Sequence, residues 1–251
     1  MHSAPAVAHA PATAVHLSEV TKTYPDGPVT VRALNQVSLG LRSGSFTAVM
    51  GPSGSGKSTL LNCIAGLETP DSGRILIGDV EVTRLSGDAL TRFRRDHVGF
   101  IFQSYNLIDH LTVVENIRLP LMLAGRKADP EWEKALIHAV HLNGKEHRLP
   151  SGLSGGQAQR VAIARAMITR PSVIFADEPT GALDSHTGQE ILELLRKTAA
   201  SVGQTVVLVT HDARIASAAE QVLFLADGSW AGHLVAPTPE EITSYVMELG
   251  T

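Results

Sequence analysis

A chain of 251 residues, 43% hydrophobic and 18% charged, carries enough apolar material for a sizeable core. Its net charge of −4 argues against a general nucleic-acid binder, and no nucleic-acid partner is expected. One cysteine, Cys63, excludes an intramolecular disulfide and fits a reducing compartment, and no apolar run approaches the roughly 18 residues that span a bilayer.

Residues 1–14, rich in Ala, Pro and His, lack the charged start and long apolar centre of a secretion signal and read as a disordered leader. His2, His9 and His16 are solvated in this reading, not metal ligands. From Val15 to Leu41 short alternating runs flank the turn signal Tyr24–Gly27, which predicts antiparallel strands. Residues 45–50, "SFTAVM", predict a buried strand, Gly51 to Gly56 a loop, and Lys57 to about Leu67 a helix. "DSGRILIGD" gives another strand, after which helical patterns dominate from Ala89 to His141. Thr112 with Glu115 forms a capping box, Asp129 caps a helix that has Pro130 at its first position, and Asn143-Gly144 stops it. A helix from about Gln157, the strand "SVIFA", a helix from about Thr187 and the strand "TVVLVT" follow. A hairpin closes at Asp227-Gly228, and a last helix starts at Thr238 and Glu241, with Ile242, Tyr245, Val246 and Leu249 on one face. The alternation implies an α/β fold with a parallel sheet.

Three motifs carry chemistry. "GPSGSGKST" (Gly51, Pro52, Ser53, Gly54, Ser55, Gly56, Lys57, Ser58, Thr59) could be a Gly/Ser linker, but it sits between a strand and a helix. That context fits a phosphate loop, with backbone N–H groups curled around an anion, Lys57 at the β- and γ-phosphates and Ser58 on Mg²⁺. Such a loop needs a carboxylate at a nearby strand end. "SVIFADEPT" supplies Asp177 for the metal and Glu178 to polarise the attacking water. The third motif, Leu153–Gln157, opens a helix with Ser154, Gly155 and Gly156, a second start rich in N–H groups. One terminal phosphate cannot easily be held by two helix starts of the same compact domain, so this one is expected to face another chain's nucleotide. "LSGD" at Leu85–Asp88 lacks the second glycine and the glutamine and reads as a turn and helix start.

With these motifs in order, the chain strongly resembles the ATP-binding subunits of ABC transporters over about Val15 to Val235. The resemblance implies that Tyr24 stacks on adenine, Gln103 senses the metal and the lytic water, Leu153–Gln157 is the family signature, Asp184 lies on the loop crossing the dimer seam, and His211 is the switch histidine. "VGFIFQSYNLIDHLTVVENIRLPLMLAG" and "ADEPTGALDSHTG" resemble the branch of lipoprotein-release, macrolide-export and peptide-resistance ATPases, whose permeases respond to ATP binding by mechanotransmission. Two features depart from that branch: "HLNGKEHRLPSG" is shorter than usual, and the leader and last helix match no motif.

The expected architecture is a P-loop NTPase domain over 15–237, with an N-terminal antiparallel β-subdomain, a helical subdomain inserted at about 86–152, and a C-terminal helix over 238–251. The resemblance implies ATP and Mg²⁺ as cofactors, a head-to-tail pair of identical chains, and an integral membrane permease that binds the chain on the cytoplasmic face of the plasma membrane. A non-transport ATPase of the same superfamily is the alternative. Against it, the chain has no long coiled-coil insertion and a single ATPase unit. "RFRR" (Arg92, Arg94, Arg95) reads as a solvated helix face, and Cys63 as a small buried residue.

Overall fold

The computed structural model describes residues 13–249. It opens on a long antiparallel hairpin, β1 (Thr13–Asp26) and β2 (Val29–Arg42), turned by Gly27 at φ 58°. The expected leader lies outside the described residues, except for Thr13 and Ala14, which already belong to β1. β3 (Phe46–Met50), α1 (Lys57–Ile64), β4 (Ser72–Ile77) and β5 (Val80–Glu81) come next. β4 returns to β1, which gives a four-stranded antiparallel sheet in the order β2-β1-β4-β5.

The rest of the chain is α2 (Gly87–His97), β6 (Val98–Phe102), α3 (Val113–Leu123), α4 (Pro130–Ala139), α5 (Gly155–Met167), β7 (Val173–Asp177), α6 (Ser185–Ser201), β8 (Thr205–Val209), α7 (Ala213–Ala216), β9 (Gln221–Ala226), β10 (Ser229–Val235) and α8 (Pro239–Leu249). A second sheet has the order β10-β9-β3-β8-β7-β6, parallel except where β10 folds back on β9. Its central strands are apolar on both faces because both faces are covered. Along β8, Val206 and Leu208 enter one core with residues of α5 and α6, whereas Val207 and Val209 enter the other with α1 and β1. The period-2 alternation of side chains thus divides the molecule into two cores, one on each face of the sheet.

Local signals set several boundaries. Thr112 and Glu115 close their capping box, the Asp129 carboxylate accepts from the Glu131 and Trp132 N–H groups, and Thr238 pairs with Glu241. Ile242 is buried, and the Tyr245 hydroxyl donates to the Ala231 carbonyl at 2.8 Å, so α8 lies against the main core.

Three expectations change. Helices dominate from Ala89 to His141 as expected, but the segment also contains an unexpected strand, β6, paired with β7 from Val98 opposite Val173 to Phe102 opposite Asp177. A five-residue apolar run cannot be assigned from its own periodicity, and the partner that makes it a strand is remote. α1 stops at Ile64, short of Leu67, because Gly66 takes φ 68° and the Leu67 N–H turns back to the Asn62 carbonyl. The arginine run is not simply solvated: Phe93 is buried, and Arg94 Nη1 donates to the Gly66 carbonyl at 2.8 Å, tying α2 to the end of α1. Among the described residues, no helix is long and apolar enough to cross a membrane.

Candidate nucleotide site

The glycine loop follows β3, all five residues of which are buried. A Cβ at Gly51 would stand 2.0 Å from the Leu225 carbonyl oxygen, and one at Gly56 would stand 2.1 Å from that of Ala33. Both glycines are therefore required by close backbone approach as well as by positive φ (153° and 96°). The Asp227-Gly228 hairpin props the loop: the Gly228 N–H donates to the Ser55 carbonyl (3.2 Å), and the Asn35 N–H donates to that of Gly228 (2.7 Å). Pro52 is half-buried, Ser53, Gly54 and Ser58 are exposed, Ser55 is buried and Thr59 half-buried. No side chain caps the start of α1, which leaves backbone N–H groups and the positive end of the helix for an anion. The Lys57 ammonium curls back onto the Gly51 and Pro52 carbonyls at 2.9 and 2.8 Å. Burial lowers its pKa, while Glu178 and Asp177 act in the opposite sense.

Asp177 ends β7, opposite Phe102 of β6 and Val209 of β8. Burial raises its carboxyl pKa, Glu178 adds to the rise and Lys57 opposes it. Parallel strands bring residues from distant parts of the chain to one edge, the carboxyl ends where open α/β sheets bind ligands. The Glu178 carboxylate accepts from Thr210 Oγ1 (3.2 Å), from the His211 N–H (3.0 Å) and from His211 Nδ1 (2.7 Å). The His211 side chain is 79% exposed, so it bridges the carboxylate and solvent. Beside them lies a cleft of about 190 Å³ lined by Gly181, Leu183, Asp184, Thr210 and His211.

The other expected residues lie on several elements. Gln103 follows β6, and its amide lies 2.8 Å from where a Cβ of Gly181 would stand. Ser154 caps α5: its Oγ accepts from the Gln157 N–H, and Gln157 Oε1 accepts from the Ser154 N–H, both at 3.3 Å. Gly155 is crowded by the Tyr105 hydroxyl and Leu183, and Gly156 by Thr187, at 2.8–3.1 Å from the positions of their absent Cβ atoms. Asp184 caps α6, accepting from the His186 and Thr187 N–H groups at 3.1 and 3.0 Å, which lowers its pKa. Tyr24 is half-buried on β1; its hydroxyl donates to Glu68, and the Lys22 ammonium lies 5.4 Å from the ring centroid. No hydrogen bond among the described residues joins Ser154–Gln157 to the Gly51–Lys57 loop.

Sequence reasoning missed Thr210, Glu68 and Asn116. Thr210 directly follows β8, and only the β7/β8 register puts its hydroxyl on Glu178. Asn116, fully buried in α3, holds the loop after Gln103: its Oδ1 accepts from the Ile108 N–H (2.8 Å) and its Nδ2 donates to the Ile108 and Leu111 carbonyls.

The donor set suits a nucleotide with Mg²⁺. Ser58, Gln103 and Asp177 offer the oxygen donors that a hard cation prefers, and the uncapped α1 terminus with Lys57 suits phosphate.

A glycine loop between a buried strand and a helix, with paired carboxylates at the end of a strand one removed in the same sheet, defines the class of P-loop nucleoside triphosphatases. Residues 34–181 match the family model described as ABC transporter, and the chain belongs to that family. The ABC transporter ATP-binding protein MJ0796 of Methanocaldococcus jannaschii is 46% identical over 220 residues, 85% of this chain and 94% of that protein. The macrolide export ATP-binding/permease protein MacB of Mannheimia succiniciproducens is 44% identical over 216 residues, and this chain spans 33% of its length. Among solved structures, a dimeric MJ0796 cassette superposes with a TM-score of 0.79 at 43% identity, covering 89% of this chain and 99% of that one. Another MJ0796 dimer, bound to ADP and Pi after hydrolysis, matches equally. Clostridium perfringens cbiO1 matches with a TM-score of 0.80 at 26% identity, covering 93% and 91%. The chain is the ATP-hydrolysing cassette of an ABC transporter.

Proposed function

We propose that two copies of this chain close head to tail on two ATP molecules, each held between Lys57 of one chain and Ser154 of the other. In this reading Gly51–Thr59 cradle the phosphates, Tyr24 stacks on the base, Asp184 lies at the seam, and Ser58, Gln103 and Asp177 face Mg²⁺. A cation held by these residues would neutralise charge on the phosphate oxygens. Glu178 takes a proton from the attacking water as oxygen bonds to the γ-phosphorus and the bond to the β-phosphate oxygen breaks, releasing ADP. His211 and Thr210 hold the Glu178 carboxylate, and His211 reports the state of the site to solvent and to the seam. The observation that carries this reading is the placement of Glu178. It sits directly after Asp177, on the strand edge whose charges act on Lys57, and it is gripped by His211 and Thr210. The dimeric cassettes among the relatives support the pairing.

The motor drives a membrane permease, and the chain lies on the cytoplasmic face of the membrane. MacB, named as both ATP-binding and permease protein, supports this. The groove between β6 and α3, lined by Phe100, Phe102, Leu119 and Leu123, is the proposed contact, with Leu107 and Leu111 in the loop after Gln103. Residues 15–237 are the proposed ATPase domain, its helical part at about 86–152 interrupted by β6 of the main sheet, and 238–251 its appendage.

Glu178→Gln tests the reading. Turnover should fall by about 10²–10⁴-fold, the usual contribution of a general base, while ATP binding survives. On a sizing column ATP should then convert the variant to a dimer. A variant that hydrolyses ATP at the wild-type rate removes Glu178 from the chemistry.

A further inference from the structure

Glu178 holds a backbone conformation that its position disfavours twice. Its φ is 45°, in the left-handed region, and it precedes Pro179, whose ring pushes the preceding residue toward extended backbone. A non-glycine residue so strained persists only where surrounding contacts over-determine it. Two contacts come from neighbours in the site: the Glu178 N–H donates to the Val209 carbonyl, and the Gly181 N–H to the Glu178 carbonyl, both at 3.0 Å. The third comes from another element. Gln159 Nε2, on α5, donates to the Pro179 carbonyl at 2.6 Å.

Gln159 is fully buried, and its Oε1 is buried with no hydrogen-bond partner. An orphaned buried acceptor carries the full cost of its desolvation. A methionine would fill similar space without that cost, so the feature that explains an amide here is its N–H donor.

We infer that Gln159 is a positioning residue for Glu178: its amide N–H, carried on the signature helix, fixes the strained Glu178–Pro179 turn so that the carboxylate faces the reacting phosphate. This rests on the proposed role of Glu178 as base. The helix that offers Ser154 to the partner's nucleotide thus grips, about one turn further on, the loop that serves this chain's own.

Gln159→Met removes the donor and keeps the volume. ATP affinity by calorimetry should stay within about two-fold of wild type, because Gln159 touches none of the phosphate loop. Turnover should fall about 10- to 100-fold, since misplacement by about 1 Å can cost 10²-fold. Gln159→Glu supplies a second readout. Its protonated carboxyl can donate to the Pro179 carbonyl, whereas the ionised form repels it, and burial raises its pKa. Turnover of Gln159→Glu should therefore approach wild type at low pH and fall as pH rises, over a window that wild type and Gln159→Met do not share. Wild-type turnover in Gln159→Met, whatever its melting temperature, overturns the inference, as does a Gln159→Glu profile parallel to wild type. Should Gln159→Met fail to fold, Gln159→Glu alone decides. Glu178→Gln run alongside separates the two readings: full turnover there sinks the base assignment, whereas its loss together with an unaffected Gln159→Met sinks only the positioning role.

Discussion

The two helix starts that carry glycine and serine, at α1 and at α5, look alike in sequence and differ in construction. α1 begins at Gly56 in a left-handed conformation with no side-chain cap, and its lysine folds onto the loop's own carbonyls. α5 begins at Ser154 in extended backbone and is closed by a reciprocal capping box with Gln157. The first is left open for an anion from its own chain's side. The second has already satisfied part of its N-terminus and is exposed at Ser154 and Gly155, where the proposed pairing would bring the partner's nucleotide. An uncapped start has unspent N–H groups and a mobile cation, so it can bind tightly alone. A capped start adds only what remains, which suits closing a site over opening one.

That contrast can be broken most forcefully at Lys57. Lys57→Ala removes the one side-chain cation of the loop, and hydrolysis should drop to background. A charge-assisted hydrogen bond is worth about 1.5–3 kcal/mol, so ATP affinity should fall roughly 10- to 100-fold. Calorimetry giving equal affinities for variant and wild type removes the loop from phosphate binding.

Next in size is Ser154→Arg introduced into Glu178→Gln. The double variant should bind ATP through its own loop yet elute as a monomer where Glu178→Gln elutes as a dimer. Persistence of the dimer places the α5 start outside the interface. Ser154→Ala is gentler, removing only the acceptor for the Gln157 N–H. Loss of such a cap costs about 0.5–2 kcal/mol, and the melting temperature should fall by a few degrees (about 2–4 °C per kcal/mol at this size). The comparable change at α1, where no side-chain cap exists to lose, has no counterpart.

The smallest effect is on pH dependence. The Asp177 pKa is raised in the folded chain, chiefly by burial, so the native state binds its proton more tightly than the unfolded state does. The stability this group contributes is full below the unfolded carboxylate pKa and is lost as pH rises through the folded one. Asp177→Asn should therefore melt slightly higher than wild type near neutral pH without nucleotide, with the gap closing as pH falls toward 4. A gap that widens on acidification contradicts the sign.

What the sequence determined by itself was local. Glycine spacing around Lys57, the boxes at Thr112 and Thr238, the Asp129 cap and the Asp227-Gly228 turn each depend on residues within a few positions, and a few residues of backbone are enough to define them. The acids Asp177 and Glu178 were legible because they end an apolar run, and Gln103, Tyr24, Asp184 and His211 through family likeness. The tertiary structure alone decided whatever needs two distant segments. The strand character of Val98–Phe102 exists only beside β7. The hydroxyl of Thr210 reaches Glu178 only through the β7/β8 register, and the amide of Gln159 reaches Pro179 only because α5 packs against β6 and α6. Such contacts leave no periodic mark on either segment. They arise when parallel strands with buried faces fix the order of remote segments, and that order places the uncapped loop, the paired carboxylates and His211 along one edge.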